Sequence, residues 1–213
     1  MSHHPASRSS GVVRGSRTAD YDYDLPPGRI ARFPAARRDE ARLLVVGREG
    51  CAHSVFRDLV DLFRAGDVLV LNDTRVFPAR LVGSKPTGAR AEILLIRPRG
   101  EESGDPGAGY RQHWEALVRP GGKLKPGRVV DIADGFRGQI VDSVEGGGRL
   151  VELRSTRPVI ESLALHGHVP LPPYIDREDQ PVDRERYQTV YARESGSVAA
   201  PTAGLHFTRE LLD

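Results

Sequence analysis

Cysteine, lysine and long apolar runs are scarce in this 213-residue sequence, and each shortage excludes a class of protein. Cys51 has no second cysteine with which to form an internal disulfide. Nothing near the N-terminus has the apolar core of a secretory signal. The longest uninterrupted apolar runs, such as residues 68–71, are far too short to cross a bilayer. The sequence therefore excludes a membrane span and predicts a cytoplasmic protein.

Lysine accounts for only three of the 31 basic residues, and the formal net charge is +2. Residues 21–100 carry 14 basic and 10 acidic side chains, so the first half of the chain is modestly basic. Such a surface attracts polyanions, but a dedicated nucleic-acid binder has a much denser stripe of positive charge. Composition alone therefore does not predict an RNA-binding protein.

Glycine and proline are frequent, at 23 and 16 residues, which indicates many turns and argues against a helical bundle. Residues 1–20 are rich in Ser, Arg and Gly without periodic apolar positions, so we expect a disordered arm there. His3 and His4 lie in this arm without the convergent ligands that a metal site needs, and no metal is predicted.

Both ends of the remaining chain predict alternating strands and helices. Residues 43–46 and 67–72 read as buried strands, and the second run is apolar enough to be covered on both faces. Residues 53–64 have apolar side chains at helical spacing, with Ser54 as the N-cap. Residues 158–166 again predict a helix, which ends at Gly167.

The middle of the chain has no helical period. Short β-rich runs alternate with Gly, Pro and Asp turns, at residues 91–97, 113–119, 129–133, 139–143 and 149–153. This rhythm predicts a small antiparallel barrel or sandwich, with Trp114 in its core. The expected fold class is α/β, in which an α/β domain over residues 21–76 and 156–213 is interrupted by a β-barrel over residues 77–155.

Two segments carry candidate site residues. His206 follows a run of small residues that allows close backbone approach to a ligand, and its imidazole titrates near neutral pH. The structural alternative, given equal weight, is that His206 only forms a hydrogen bond with the end of a helix. Residues 72–75 follow the predicted strand at 67–72, where α/β sheets bind ligands. The structural alternative for them is an Asx-turn with Asp73 paired to Arg75.

Several stretches resemble a known family in order along nearly all of residues 21–213. They are Tyr-Asp-Leu-Pro at 23–26, Arg-Leu-Leu-Val at 42–45, Gly-Asp-Val-Leu-Val-Leu-Asn-Asp-Thr-Arg-Val at 66–76, Pro-Ala-Arg-Leu at 78–81, Gly-His-Val-Pro-Leu-Pro-Pro-Tyr-Ile at 167–175, Tyr-Gln-Thr-Val-Tyr at 187–191 and residues 198–207. The chain thereby resembles the S-adenosylmethionine:tRNA ribosyltransferase-isomerases of queuosine biosynthesis. The resemblance implies the same α/β domain with an inserted barrel.

The resemblance also implies a reaction. Family members transfer the ribosyl group of S-adenosylmethionine to 7-aminomethyl-7-deazaguanine at the tRNA wobble position and rearrange it to epoxyqueuosine, releasing adenine and methionine without a metal. The sulfonium acidifies the C5′ hydrogens, so the reaction needs a base and then an acid. The expected catalytic residues are His206 and Asp73. The expected S-adenosylmethionine contacts are Asn72, Thr74, Arg75, Thr202, Ala203 and Gly204, and the expected tRNA contacts are Arg80, Tyr187, Gln188 and Tyr191.

These roles have structural alternatives. Arg75 and Arg80 suit a carboxylate or phosphate, or are surface arginines. Tyr187 and Tyr191 offer stacking faces and Gln188 an amide for a base edge, although aromatic residues four apart are more often core.

One family motif, Leu-His-Val-Gly-x-Gly-Thr-Phe, has no counterpart before the chain ends at Asp213. We therefore expect a C-terminally truncated member, a monomer, that is weakly active or inactive alone. The rival hypotheses are a non-catalytic tRNA-binding module and a degenerate member kept as a scaffold. Saturable binding of S-adenosylmethionine separates the enzyme from both.

Overall fold

The computed structural model describes residues 17–26 and 28–213. The chain divides into two compact units, Met1–Ala31 and Arg32–Asp213. Within the described ranges, no helix combines the length and the apolar character that crossing a membrane requires.

The first unit contains one short element among its described residues. Thr18–Tyr21 form a 3-10 helix, and the Asp20 carboxylate accepts a hydrogen bond from the main-chain N–H of Arg17 at 3.1 Å. The disordered arm expected over residues 1–20 falls mostly outside the described residues, and so do His3 and His4.

The second unit begins with an antiparallel hairpin of β1 (Arg42–Gly47) and β2 (Gly50–Val55). The strand predicted over residues 43–46 is confirmed. The prediction that it is buried is wrong, since Leu44 and Val46 are 53% and 72% exposed. A two-stranded sheet leaves a face open unless another layer covers it.

The helix predicted over residues 53–64 is shorter and of another type. Its first three residues belong to β2, and Phe56–Leu62 form a 3-10 helix. Ser54 is not the N-cap, and its hydroxyl donates to the Asp58 carboxylate. Because β2 pairs with β1 as far as Val55, the helix cannot begin earlier.

The strand predicted over residues 67–72 does not form. Val68 and Val70 are 84% and 87% exposed, and the run has no regular secondary structure. A run buried on both faces needs covering layers. The adjoining strand β3 (Thr74–Val76) pairs in parallel with β10 (Glu194–Ser197) only from Thr74 onward. The apolar run therefore lies uncovered.

Six strands in the middle of the chain form a closed antiparallel ring in the order β4, β5, β6, β9, β8, β7. They are β4 (Arg80–Ser84), β5 (Arg90–Asp105), β6 (Gly109–Arg119), β7 (Val129–Ala133), β8 (Phe136–Ser143) and β9 (Arg149–Ser155). Ser84 of β4 pairs with Asp131 of β7 and closes the ring. The sequence predicts every one of these strands except β4. The coarse expectation of a mixed α/β chain with an antiparallel middle is confirmed.

Alternate residues of these strands fill the interior of the ring, as the two-residue period of a strand requires. The fully buried members include Leu81, Ile93, Leu95, Ala116, Val130, Ile140, Val151 and Leu153. Trp114 packs against Phe77 with ring centroids 5.5 Å apart, and its indole N–H donates to Gln112 at 2.9 Å. The expected core position of Trp114 is confirmed.

Helix α1 (Val159–His166) follows the ring where the sequence predicts a helix. Val159 and Leu163 are fully buried and join the core of the ring. The helix ends at Gly167, whose N–H donates to the Leu163 carbonyl at 2.8 Å.

The C-terminal part consists of short elements. They are α2 (Asp183–Arg186), a 3-10 helix over Thr202–His206 and α3 (Arg209–Leu212). The Thr208 hydroxyl accepts a hydrogen bond from the Leu211 N–H at 3.2 Å and caps α3. Helix α3 therefore begins three residues after His206.

Candidate functional site

The parallel pair of β3 and β10 organises the residues around the candidate site. The N–H of Phe77, just after β3, donates to the carbonyl of Ser197 at the end of β10, at 3.2 Å. Because the strands are parallel, their carboxyl ends meet at one edge, and such edges are where α/β sheets bind ligands. We refer to it as the carboxyl edge.

Gln188 extends this pair on the side of β3. Its Oε1 accepts from the Val76 N–H at 3.0 Å, and its Nε2 donates to the Val76 carbonyl. The amide thus takes the place of a neighbouring strand. Since both ends of the amide are engaged, reading a base edge through Gln188 would require these bonds to open.

A small apolar cluster lies at the carboxyl edge. Val76, Val169, Tyr187 and Ala200 are buried together. Burial raises the pKa of the Tyr187 hydroxyl, against a hydrogen bond with the Ala200 main chain that lowers it. Tyr187 therefore packs as core, the structural alternative expected for it.

A cavity of about 150 Å³ opens beside this cluster. It is lined by Val76, Phe77, Pro78, Ala164, Val169, Pro170, Asp183, Arg184, Tyr187 and Gln188. Pockets that hold small organic ligands usually measure about 300–1,000 Å³. The cavity is too small to enclose a whole nucleoside with its methionine arm.

The segment after β10, residues 198–207, is rich in small residues and packs against aromatic side chains. A Cβ added to Gly204 would lie 2.3 Å from the Tyr191 hydroxyl and 2.9 Å from Thr189 Cγ2. Only glycine fits this close approach. Thr202 and Ala203 are exposed on the same 3-10 helix.

His206 ends that 3-10 helix with its ring centroid 5.3 Å from that of Phe56. Burial lowers the pKa of His206 below 6.5, hydrogen bonding to the Arg38 main chain opposes this, and the charges of Arg38 and Arg186 lower the pKa further. The imidazole is therefore neutral at pH 7 and able to accept a proton.

We expect NMR titration of the His206 ring to give a pKa below 6.5, and Phe56→Leu to raise that pKa because a smaller side chain admits water. Phe33→Leu is the matched control, since Phe33 stacks on Arg177 and should leave His206 unchanged. Equal shifts in both variants would contradict burial by Phe56 as the cause.

The depressed pKa of His206 also means that the stability contributed by the neutral ring is present above pH 6.5 and is lost as the pH falls below it.

Residues 72–75 lie elsewhere than expected, because they precede β3 or belong to it instead of following a strand. Asn72 Oδ1 accepts from the N–H and the hydroxyl of Thr74, at 3.0 and 2.7 Å, which is an Asx-turn. The Asp73 carbonyl accepts from the Arg193 N–H at 2.7 Å. Arg75 donates to the Ala192 carbonyl at 3.4 Å, so the turn forms without the expected pairing of Asp73 with Arg75 in the described structure.

Arg80 is engaged within the ring. Its Nη2 and Nε donate to the two carboxylate oxygens of Glu92 at 3.1 and 3.3 Å. Its main chain forms a two-way bridge with His168, at 2.8 and 3.2 Å. The guanidinium would have to leave Glu92 to bind a substrate.

The structure thus gathers the predicted residues into separate groups. Tyr187 and Gln188 line the 150 Å³ cavity, whereas Tyr191, Gly204 and His206 lie in and against the segment after β10. A second cavity, of about 250 Å³, is lined by Leu59, Val60, Phe63, Arg64, Asp67, Leu69, Phe207, Leu211 and Leu212. Neither of the two cavities is lined by residues 72–75 together with residues 202–204. No metal-binding group of His, Cys, Asp and Glu side chains occurs among the residues described.

Two residues that the sequence does not single out bear on the site. Arg38 donates to the main-chain carbonyls of Glu185, Arg186 and Leu205 at 2.8, 3.3 and 2.9 Å, which ties α2 to the segment carrying His206. Thr189 is 5% exposed, and its hydroxyl has no hydrogen-bond partner in the described structure. The signal for Thr189 in the sequence is its place between Tyr187 and Tyr191, in one of the stretches that resemble the family.

Comparison with known proteins agrees with the resemblance. The family profile described as "Queuosine biosynthesis protein" matches residues 18–213. The S-adenosylmethionine:tRNA ribosyltransferase-isomerase of Pelobacter propionicus is 44% identical over 91% of this chain and 55% of its own length. That of Desulfitobacterium hafniense is 48% identical over 91% of this chain and 54% of its own length.

A crystal structure of the S-adenosylmethionine tRNA ribosyltransferase from Thermotoga maritima is 30% identical, covering 90% of this chain and 52% of that one, with a TM-score of 0.29. The chain spans about half the length of the curated relatives it matches. The profile match over nearly the whole chain and these identities establish that it belongs to the queuosine biosynthesis protein family.

Proposed function

We propose that this chain carries part of an S-adenosylmethionine:tRNA ribosyltransferase-isomerase. The reaction would move the ribosyl group of S-adenosylmethionine to 7-aminomethyl-7-deazaguanine at the tRNA wobble position and form epoxyqueuosine, with adenine and methionine as the other products. The observation that carries this proposal is the 44–48% identity to relatives of that name over 91% of the chain.

The Thr189 hydroxyl supports a ligand contact beside the segment after β10, which requires Gly204 and Thr189 to move apart because their close approach leaves no room between them. The buried Thr189 hydroxyl lacks a partner among the described residues, and Gly204 brings the main chain close to the methyl group of the same side chain. Unpaired buried hydroxyls are rare in folded proteins, so a polar group of a bound ligand is a suitable partner. We propose that Thr202, Ala203 and Gly204 contact S-adenosylmethionine together with this hydroxyl.

His206 is the favoured base. Its imidazole is neutral at pH 7, as removal of a C5′ proton next to the sulfonium requires. The imidazolium so formed could then return the proton as adenine departs. Asp73 remains the second proposed catalytic residue, and residues 72–75, Arg80 and Tyr191 remain proposed contacts of S-adenosylmethionine and tRNA.

We also propose that the ring over residues 77–155 is an inserted barrel domain within an α/β domain over residues 21–76 and 156–213. The protein would act as a cytoplasmic monomer on tRNA without a metal. Because the chain spans about half the length of its relatives, we propose weak activity or none for these 213 residues alone.

Calorimetric titration with S-adenosylmethionine tests the proposal. We expect saturable binding, and Thr189→Val should weaken it about two- to tenfold, since one hydrogen bond contributes about 0.5–1.5 kcal/mol. Valine keeps the volume and removes the unpaired hydroxyl, so the free variant should be at least as stable. Thr87→Val, in an exposed turn, is the matched control and should bind normally.

The outcomes separate the candidate functions. Absence of saturable binding would contradict the enzyme and favour the non-catalytic tRNA-binding module or the scaffold. Equal affinities of the Thr189 variant and the unaltered chain would contradict the contact proposed for the Thr189 hydroxyl. Adenine release with precursor tRNA at the rate of a longer relative would contradict weak activity alone.

A further inference from the structure

Three arginines occupy matched positions across three neighbouring strands of the ring. The register pairs Arg111 of β6 with Arg154 of β9, and Arg154 with Arg137 of β8. Neighbouring strands lie about 4.8 Å apart, so the three positions span roughly 10 Å. We refer to Arg111, Arg154 and Arg137 as the arginine row.

The arginine row lies on the outer face of the ring. Phe136 and Leu153, next to Arg137 and Arg154 in sequence, are buried in the core of the ring. Because successive side chains of a strand point to opposite faces, the arginines point outward. All three residues of the row are exposed.

The positive charge of the arginine row is only partly neutralised. Arg154 donates to Glu152, and Arg111 donates to the uncharged Ser103 hydroxyl at 3.1 Å. Asp131 stands opposite Arg137 in register, yet no ion pair or hydrogen bond of the Arg137 side chain is formed with the residues that the structure describes.

Like charges directly opposite each other destabilise an antiparallel sheet, so the fold itself gains nothing from this arrangement. Guanidinium groups match phosphate with two parallel hydrogen bonds, which a row of lysines would not provide. We propose that the arginine row binds phosphates of the tRNA backbone. This inference rests on the proposed function, because the relatives' activity is what brings tRNA to the chain.

Salt-dependent binding of a tRNA transcript to the 213-residue chain tests the proposal. In the triple variant Arg111→Gln, Arg137→Gln, Arg154→Gln, we expect at least about tenfold weaker binding and a salt slope smaller by about 2–3, since each phosphate contact contributes about 0.9. The matched control changes three other exposed arginines, Arg48, Arg64 and Arg128, to glutamine and should bind nearly as the unaltered chain does. The urea midpoint of the row variant should stay equal or rise, because like-charge repulsion is relieved.

Equal weakening in the two triple variants would overturn the proposal, and so would absence of tRNA binding by the unaltered chain at low salt. Competition by polyglutamate as strong as that by tRNA, at equal charge, would show a general polyanion surface and overturn the assignment to RNA. Calorimetry with S-adenosylmethionine alone tests the proposed function separately from the arginine row. Saturable S-adenosylmethionine binding with an unchanged salt slope in the row variant would overturn the row and leave the function intact.

Discussion

Replacing Asp183 with alanine is expected to lower the free energy of unfolding by about 3–5 kcal/mol, because it leaves the Arg177 guanidinium buried without its partner. Arg177 donates to both carboxylate oxygens of Asp183, from Nη1 at 2.6 Å and from Nη2 at 2.8 Å. The two side chains are only 11% and 3% exposed. The Gln180 N–H donates to the same carboxylate at 2.7 Å. Urea denaturation followed by circular dichroism measures the loss.

Asp176→Ala is the matched control on the same segment. The Asp176 side chain is 91% exposed and lies 4.0 Å from Arg32. Surface pairs of this kind contribute about 0–1 kcal/mol, so the control should unfold close to the midpoint of the unaltered chain. Comparable losses in the two variants would contradict burial as the source of the effect.

The same pair predicts a pH dependence. The hydrogen bonds from Arg177 hold the pKa of Asp183 below its usual range, although burial acts the other way. A carboxylate whose pKa is depressed in the folded state contributes stability above its unfolded pKa of about 3.9, and that stability is lost as the pH falls. The difference between the unaltered chain and Asp183→Ala should therefore be largest near neutral pH and shrink below about pH 4.

The ion pair also shows what a sequence can and cannot predict about a segment. The prolines at positions 170, 172 and 173 predict a non-helical stretch, and the structure has none of it in a helix. Nothing local distinguishes the buried Arg177 and Asp183 from the exposed charges around them. Their partnership depends on how the chain folds back after the prolines.

Strands of the ring are predictable because turn residues delimit them and alternate side chains fill its interior. β4 is the exception, since its five residues, Arg80–Ser84, include a glycine and two polar residues. Its strand character comes from antiparallel pairing with β5, which only the fold provides.

The predictions made from apolar runs outside the ring fail for a physical reason. A run such as residues 68–71 predicts that something covers it, but the covering segment is not encoded in the run. Likewise, residues 53–55 fit a helical pattern yet pair with β1, because strand pairing overrides local periodicity.

For the candidate site, the sequence predicts the residue types and the segments but not the contacts. Gln188 is predicted to face a base, and in the structure its amide holds both polar groups of Val76. The roles of the predicted site residues stay predictions. The sequence does not predict the roles of Thr189 and Arg38. The Thr189 hydroxyl is buried without a partner in the described structure, and Arg38 bonds carbonyls far away in the sequence, so both features appear only in the folded chain.

Gly167→Ala should destabilise the chain by about 3 kcal/mol, at the upper end of the range for atoms inserted into packed regions. The backbone of Gly167 has φ −78° and ψ 150°, which any residue adopts, so the constraint is space alone. An added Cβ would lie 2.1 Å from the Pro78 carbonyl oxygen and 2.5 Å from that of Leu163. Main chain cannot move as freely as the end of a side chain, and the shift would strain the bridge between Arg80 and His168.

Gly122→Ala is the control, because Gly122 has open space around its Cβ position and no positive φ. Its urea midpoint should stay the same or rise slightly, since alanine lowers the entropy of the unfolded chain. Pro78 lines the cavity at the carboxyl edge, so we also expect Gly167→Ala to weaken any ligand binding there while Gly122→Ala does not. If Gly167→Ala unfolded at the midpoint of the control, the close approach of residues 78 and 167 would not contribute to stability, and this cavity wall would be looser than the structure describes.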